Sequence, residues 1–88
     1  MKTRFYKKKL SATTTQQSET LPRLVELHIL NAGQDNIFIE PDNDLDDDSV
    51  LVPAGMSVTL KADYQTLKYK TATSIATVYL YGTRHIKT

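Results

Sequence analysis

The chain has no cysteine and no tryptophan, and only three glycines, three prolines and two histidines in 88 residues. Without cysteine no disulfide can staple the fold, and no thiolate can act as nucleophile or metal ligand. That absence weighs on a small domain. A chain of this length buries only about 60% of its unfolded surface and commonly leans on disulfides, metals or partner subunits. His28 and His85 are the only histidines, each is read as isolated from acids in sequence, and no cysteine can supply a partner, so neither a catalytic triad nor a zinc-type site is expected around them. Gly33, Gly55 and Gly82 are too scattered for a phosphate-binding loop, and no serine or threonine lies in a nucleophile motif. A protein without enzymatic activity and without cofactor is expected. No apolar run approaches the length of a membrane helix. The start, MKTRFYKKKLSATTTQQ, is basic but has no apolar stretch after the bases, so a signal peptide is not expected.

What is present is charge in blocks. The net charge is +1, but the first nine residues carry Lys2, Arg4, Lys7, Lys8 and Lys9 and no acid. Residues 35–48 carry Asp35, Glu40, Asp42, Asp44, Asp46, Asp47 and Asp48 and no base. Such blocks mark tails and contact surfaces more than cores. Residues 1–20 hold little apolar content and are expected to form an extended basic and polar arm lying on neighbouring chains. Residues 21–88 are expected to form the folded domain.

Within that domain the apolar residues alternate. LPRLVELHIL sets Val25, Leu27 and Ile29 on one side and Leu24, Glu26, His28 and Leu30 on the other, as in a half-buried strand. NAGQD reads as a turn with Gly33 free to take positive φ, and NIFIE as the returning strand. After the acidic stretch, SVLV and SVTLKA flank a tight PAG turn. TLKYKT places Leu67, Tyr69 and Thr71 on one face. IATVYLYG sets Ala76, Val78 and Leu80 against Thr77, Tyr79 and Tyr81. DYQTL (63–67) reads either as strand or as one helical turn. About six short antiparallel strands with no helical period predict an all-β domain, a small β-sandwich or barrel.

Two clusters are candidate sites. In PDNDLDDDS, Asp42, Asp44 and Asp46 have the spacing that lets alternate carboxylates meet on one calcium ion. Position six of a calcium loop would be Asp47 and position twelve Pro53, which rejects an EF-hand. The alternative readings are a solvated loop, or a docking surface in which Asp44, Asp46, Asp47 and Asp48 face the lysines of an adjacent copy. The second cluster is basic and aromatic: Arg4, Phe5, Tyr6, Lys7, Lys8 and Lys9, with Tyr79 and Tyr81 from the last strand. Such residues suit an interface, and lysines beside rings also suit nucleic acid. Nucleic acid is the weaker reading here, because the rest of the chain carries more acid than base. A carbohydrate platform is disfavoured by the absence of tryptophan.

The order VELHILNAGQDNIFIE, acidic loop, VLVPAGMSVTL and LKYKTATSIATVYLYG resembles the small β-sandwich structural proteins of tailed bacteriophages. In those a V-x-V/L-P-A-G-x-S-x-x-L stretch precedes a closing segment matched here by Leu67, Tyr69, Lys70, Ala76, Thr77, Val78 and Gly82. The resemblance implies a virion subunit: a head–tail connector, tail or ring subunit, or capsid decoration protein. It implies a homo-oligomer in contact with other virion proteins, made in the host cytoplasm. The alternative from the residues themselves is a small nucleic-acid- or glycan-binding β module.

Overall fold

A computed structural model gives the fold. It describes residues 2–61 and 64–86, and of residues 2–4 and 84–86 the backbone course alone. The described chain is all β: β1 (Lys2–Ala12), β2 (Gln17–Thr20), β3 (Leu24–Asn31), β4 (Ile37–Pro41), β5 (Val50–Val52), β6 (Ser57–Leu60), β7 (Thr66–Thr71) and β8 (Ala76–Ile86). Two antiparallel sheets of four strands face each other, ordered β1-β8-β3-β6 and β2-β7-β4-β5. First pairs with last, second with seventh, third with sixth and fourth with fifth. The chain is thus one long hairpin with its tip between β4 and β5. Rolling it up adds the pairs β3–β8 and β4–β7. That is a jelly roll, an all-β sandwich of the expected class.

Six of these strands, β3 to β8, are the six that alternation predicts. The other two come from the segment expected to be an arm, and here the expectation is corrected. β1 runs antiparallel along β8 from Lys2↔Ile86 to Ala12↔Ala76. Its inward residues reach the core: Leu10 and Ala12 are buried and Tyr6 packs against the buried cluster. Lys8 occupies an inward position at the sheet edge and sends its ammonium to Glu19 of β2, 3.7 Å away. The backbone pairing supplies what the low apolar content cannot, since every second residue of this edge strand exchanges its backbone hydrogen bonds with β8.

Both sheets fill the interior. Leu24, Leu27, Ile29, Val78 and Leu80 come from one and Ile37, Ile39, Val52, Leu67 and Tyr69 from the other, all buried. The β3 expectation fails at its start. A bulge between Leu24 and Glu26 shifts the register by one, so Leu24 turns inward while Val25 is 43% exposed. A one-residue slip exchanges the two faces of a strand. The helical alternative for DYQTL is not taken: Thr66 and Leu67 begin β7, while Asp63 lies outside the described residues. Gly33 is needed for closeness, not for φ. A Cβ there would sit 2.6 Å from the Ala76 Cβ, whereas the positive-φ glycine is Gly55 in the PAG turn.

Two polar groups pin the end of the sandwich. Buried Asn31 donates to the carbonyls of Asp35 at 2.7 Å and Val52 at 3.0 Å, and its amide oxygen accepts from the Gly33 N–H at 3.1 Å. Asp35 ties the β3–β4 turn to the β7–β8 turn, accepting from the N–H groups of Thr73 and Ser74, each at 2.7 Å. Those two backbone bonds hold its carboxyl below the usual aspartate range, against a smaller opposing effect of burial.

Two outcomes follow. Removing residues 2–12 strips β8 of its outer partner and uncovers Leu80 and Val78, so the truncated chain is expected to lose cooperative unfolding in a denaturant titration; an unchanged transition would contradict the fold. Asp35 binds its proton more weakly folded than unfolded, so its contribution is present above the unfolded value, about 4, and is lost as pH falls through the folded one. Asp35→Asn is therefore expected to lower the melting temperature at pH 7 and to flatten its decline in acid, read by thermal melts across pH.

Candidate binding face

The outer face of the β1-β8-β3-β6 sheet collects most of the basic and aromatic candidates. Residues that alternate with the buried ones of β1, β8 and β3 must point to solvent. Register then sets them in rows. Lys7 lies beside Tyr81, which lies beside His28, which lies beside Thr59. One row along, Lys9 lies beside Tyr79, Leu30 and Ser57. Phe5 completes the patch from the next outward position of β1. It is 64% exposed, and its ring stands 6.0 Å from that of Tyr81 with planes 25° apart. Tyr81 and Tyr79 are 6.2 Å apart with planes 13° apart. The strand edge and the two tyrosines line a shallow groove of about 400 Å³.

Lys7 and Lys9 are exposed, and neither is bonded to a carboxylate among the described residues. His28 hydrogen-bonds the Thr59 hydroxyl through Nδ1 at 2.9 Å and places Nε2 3.5 Å from a Glu26 carboxylate oxygen. Sequence reasoning treated His28 as isolated. Its outward position in β3 was legible, but that the register sets it beside Tyr81 was not. Of the other candidates, Tyr6 and Lys8 occupy the inward side of β1, and the Arg4 and His85 side chains lie outside the described residues.

The acidic candidates go elsewhere. The loop 42–49 is the tip of the long hairpin and folds toward the other sheet. Asp42, at φ 62°, accepts from the N–H groups of Gln65 and Thr66 at 2.9 Å each. Asp44 accepts from Gln16 at 3.3 Å and lies 3.9 Å from the Lys68 ammonium, while Gln16 also accepts from the Leu45 N–H at 2.9 Å. Asp46 accepts from the Asp48 N–H at 2.8 Å. Each carboxylate is turned to its own donors, so Asp42, Asp44 and Asp46 do not converge as a calcium site requires. Among the described residues no three of histidine, cysteine, aspartate and glutamate come together. The loop is also not an open one: it is tied to β7 and to the β1–β2 turn. Lys68 projects from the outer side of the β2-β7-β4-β5 sheet, because Leu67 and Tyr69 point inward. Asp44 therefore lies on the opposite side of the sandwich from Lys7 and Lys9.

Tyr69 is also shifted: its phenol is pushed up mainly by burial and further by the Glu19 charge. It packs in the core, away from the outer face.

No protein-family model matches the chain and no curated protein matches it. Solved structures do. The Cupin_2 domain of an XRE family transcriptional regulator from Enterobacter cloacae superposes with a TM-score of 0.66 at 8% identity, over 94% of this chain and 83% of that one. An HTH_3 family transcriptional regulator from Vibrio cholerae superposes with a TM-score of 0.61 at 13% identity, over 96% of this chain and 44% of that one. The present chain thus spans less than half of the second regulator. These likenesses establish a shared fold. They also correct the expectation of a tailed-phage virion subunit, because both of these structures come from transcriptional regulators. The physical reason is that alternating strands joined by tight turns are common to rolled-up hairpins of this kind and do not single out one family. The chain is similar in fold to the Cupin_2 domain of one transcriptional regulator and to part of a second regulator.

Proposed function

We propose that this chain is a non-catalytic binding module whose working surface is the outer face of the β1-β8-β3-β6 sheet, and that the surface takes an acidic partner. The observation that carries the reading is the segregation of charge. Lys7 and Lys9 stand beside exposed rings on one face, bonded to no carboxylate among the described residues, the Glu26 carboxylate there lying against His28 instead, while Asp42 and Asp44 are held by Gln65, Thr66, Gln16 and Lys68 beside the other sheet. Lysines whose charge is met inside the fold contribute little to binding; lysines left facing water beside apolar rings attract a negative partner and release its counterions. The excess of acid over base in residues 21–88 does not oppose this, because field strength at a face depends on which charges lie near it.

Heparin chromatography tests the reading. The natural chain is expected to be retained at low salt and to elute as salt rises. A Lys7→Glu/Lys9→Glu variant, with unchanged circular dichroism, is expected to pass through. A natural chain that is not retained, or a double variant retained equally, would contradict the proposal.

A further inference from the structure

We infer that the acidic partner is single-stranded nucleic acid; this rests on the binding face just proposed and names its ligand. The repeat of the face is the argument. Along β8 the outward residues recur every second position, about 6.6–6.8 Å apart, and each of the two central rings has a lysine beside it: Tyr81 with Lys7, Tyr79 with Lys9. Phe5 extends the ladder diagonally, giving three rings at centroid spacings of 6.0 and 6.2 Å. A flat apolar group and a cation, repeated at one step, complement a polymer that offers a flat base and a phosphate at each step.

Other polyanions meet only part of this pattern. A polycarboxylate supplies charge and nothing flat to lay on the rings. A duplex hides its base faces, and its bases step by about 3.4 Å, roughly half the spacing of the ladder. A single strand can unstack and stretch until its bases reach successive rings. The groove lies at a sheet surface that is open, so a long strand can enter and leave it without threading. His28, in the same row as Tyr81 and held by Thr59 and Glu26, adds a further ring beside the track. Stacking is sequence-tolerant, so the preference among bases is expected to be slight.

The test is fluorescence anisotropy with a labelled oligothymidylate of about 12 nucleotides, alongside a duplex of the same length and polyglutamate. With no tryptophan in the chain, emission comes from its five tyrosines, and the part that Tyr79→Phe/Tyr81→Phe removes reports stacking on the face. The oligothymidylate is expected to bind, to quench tyrosine emission, and to outbind duplex and polyglutamate by at least about tenfold, the loss that follows when no base reaches a ring. Tyr81→Ala and the bulk-retaining Tyr81→Leu are each expected to weaken it roughly 5- to 100-fold. Each of Lys7→Gln and Lys9→Gln is expected to reduce the slope of log affinity against log salt by about 0.7. If polyglutamate binds as tightly as the oligonucleotide, or both Tyr81 variants bind it unchanged, the nucleic-acid inference falls and the acidic-partner reading stands. If neither oligonucleotide nor heparin binds, both fall. If the chain self-associates in a way that Tyr81→Leu abolishes and the oligonucleotide leaves intact, the face serves a second copy and the inference is overturned.

Discussion

The antiparallel pairing of the first strand with the last is the constraint on which the rest of the structure depends. It closes the long hairpin, gives β8 partners on both edges, and sets the register that carries every other outward residue. β8 lies between β1 and β3, so its inward side chains, Ala76, Val78 and Leu80, are covered by the opposite sheet while its outward tyrosines are flanked on both sides. Without disulfides, such non-local pairing must hold the domain together, and most of it joins residues far apart in sequence. The loop-closure entropy of that arrangement is offset only when both sheets pack.

The same pairing polarises the molecule. Because β1 is a strand and not a tail, the alternation of β1 divides its basic run: Lys7 and Lys9 go outward with Phe5, and Lys8 goes to Glu19. At the hairpin tip, Gln16 and the Gln65–Thr66 backbone hold the acidic loop on the other side. Charge blocks that look like two mobile segments in the sequence become two fixed faces. That separation gives the lysines a field of their own despite a net charge of only +1.

How much of this was legible depended on whether local alternation survived its context. In β7 and β8 it did, and the inward set Leu67, Tyr69, Thr71, Ala76, Val78 and Leu80 is the one the sequence spells out. In β1 the inward positions Tyr6, Leu10 and Ala12 also alternate, but the lysine triplet hides them: a lysine at a sheet edge can follow the inward direction and still reach a carboxylate with its long stem. In β3 a bulge moved Val25 out and Leu24 in, and no local pattern announces a bulge. The acidic run was legible as a loop. Its attachment was not, because the donors that hold Asp42 and Asp44 come from Gln65, Thr66 and Gln16, remote in sequence. Of the candidate face, Phe5, Lys7, Lys9, Tyr79 and Tyr81 were identifiable singly. That they form one surface, joined by His28, follows only from register.

The most direct test of this account is a nuclear Overhauser experiment on the free protein in dilute solution. The account predicts cross-strand contacts between Lys7 and Tyr81 and between Lys9 and Tyr79, with ring contacts from Phe5 to Tyr81. Residues 2–12 giving random-coil shifts and no contacts to residues 76–86 would contradict it, because the face, the core beneath it and the separation of charge would all lose their basis.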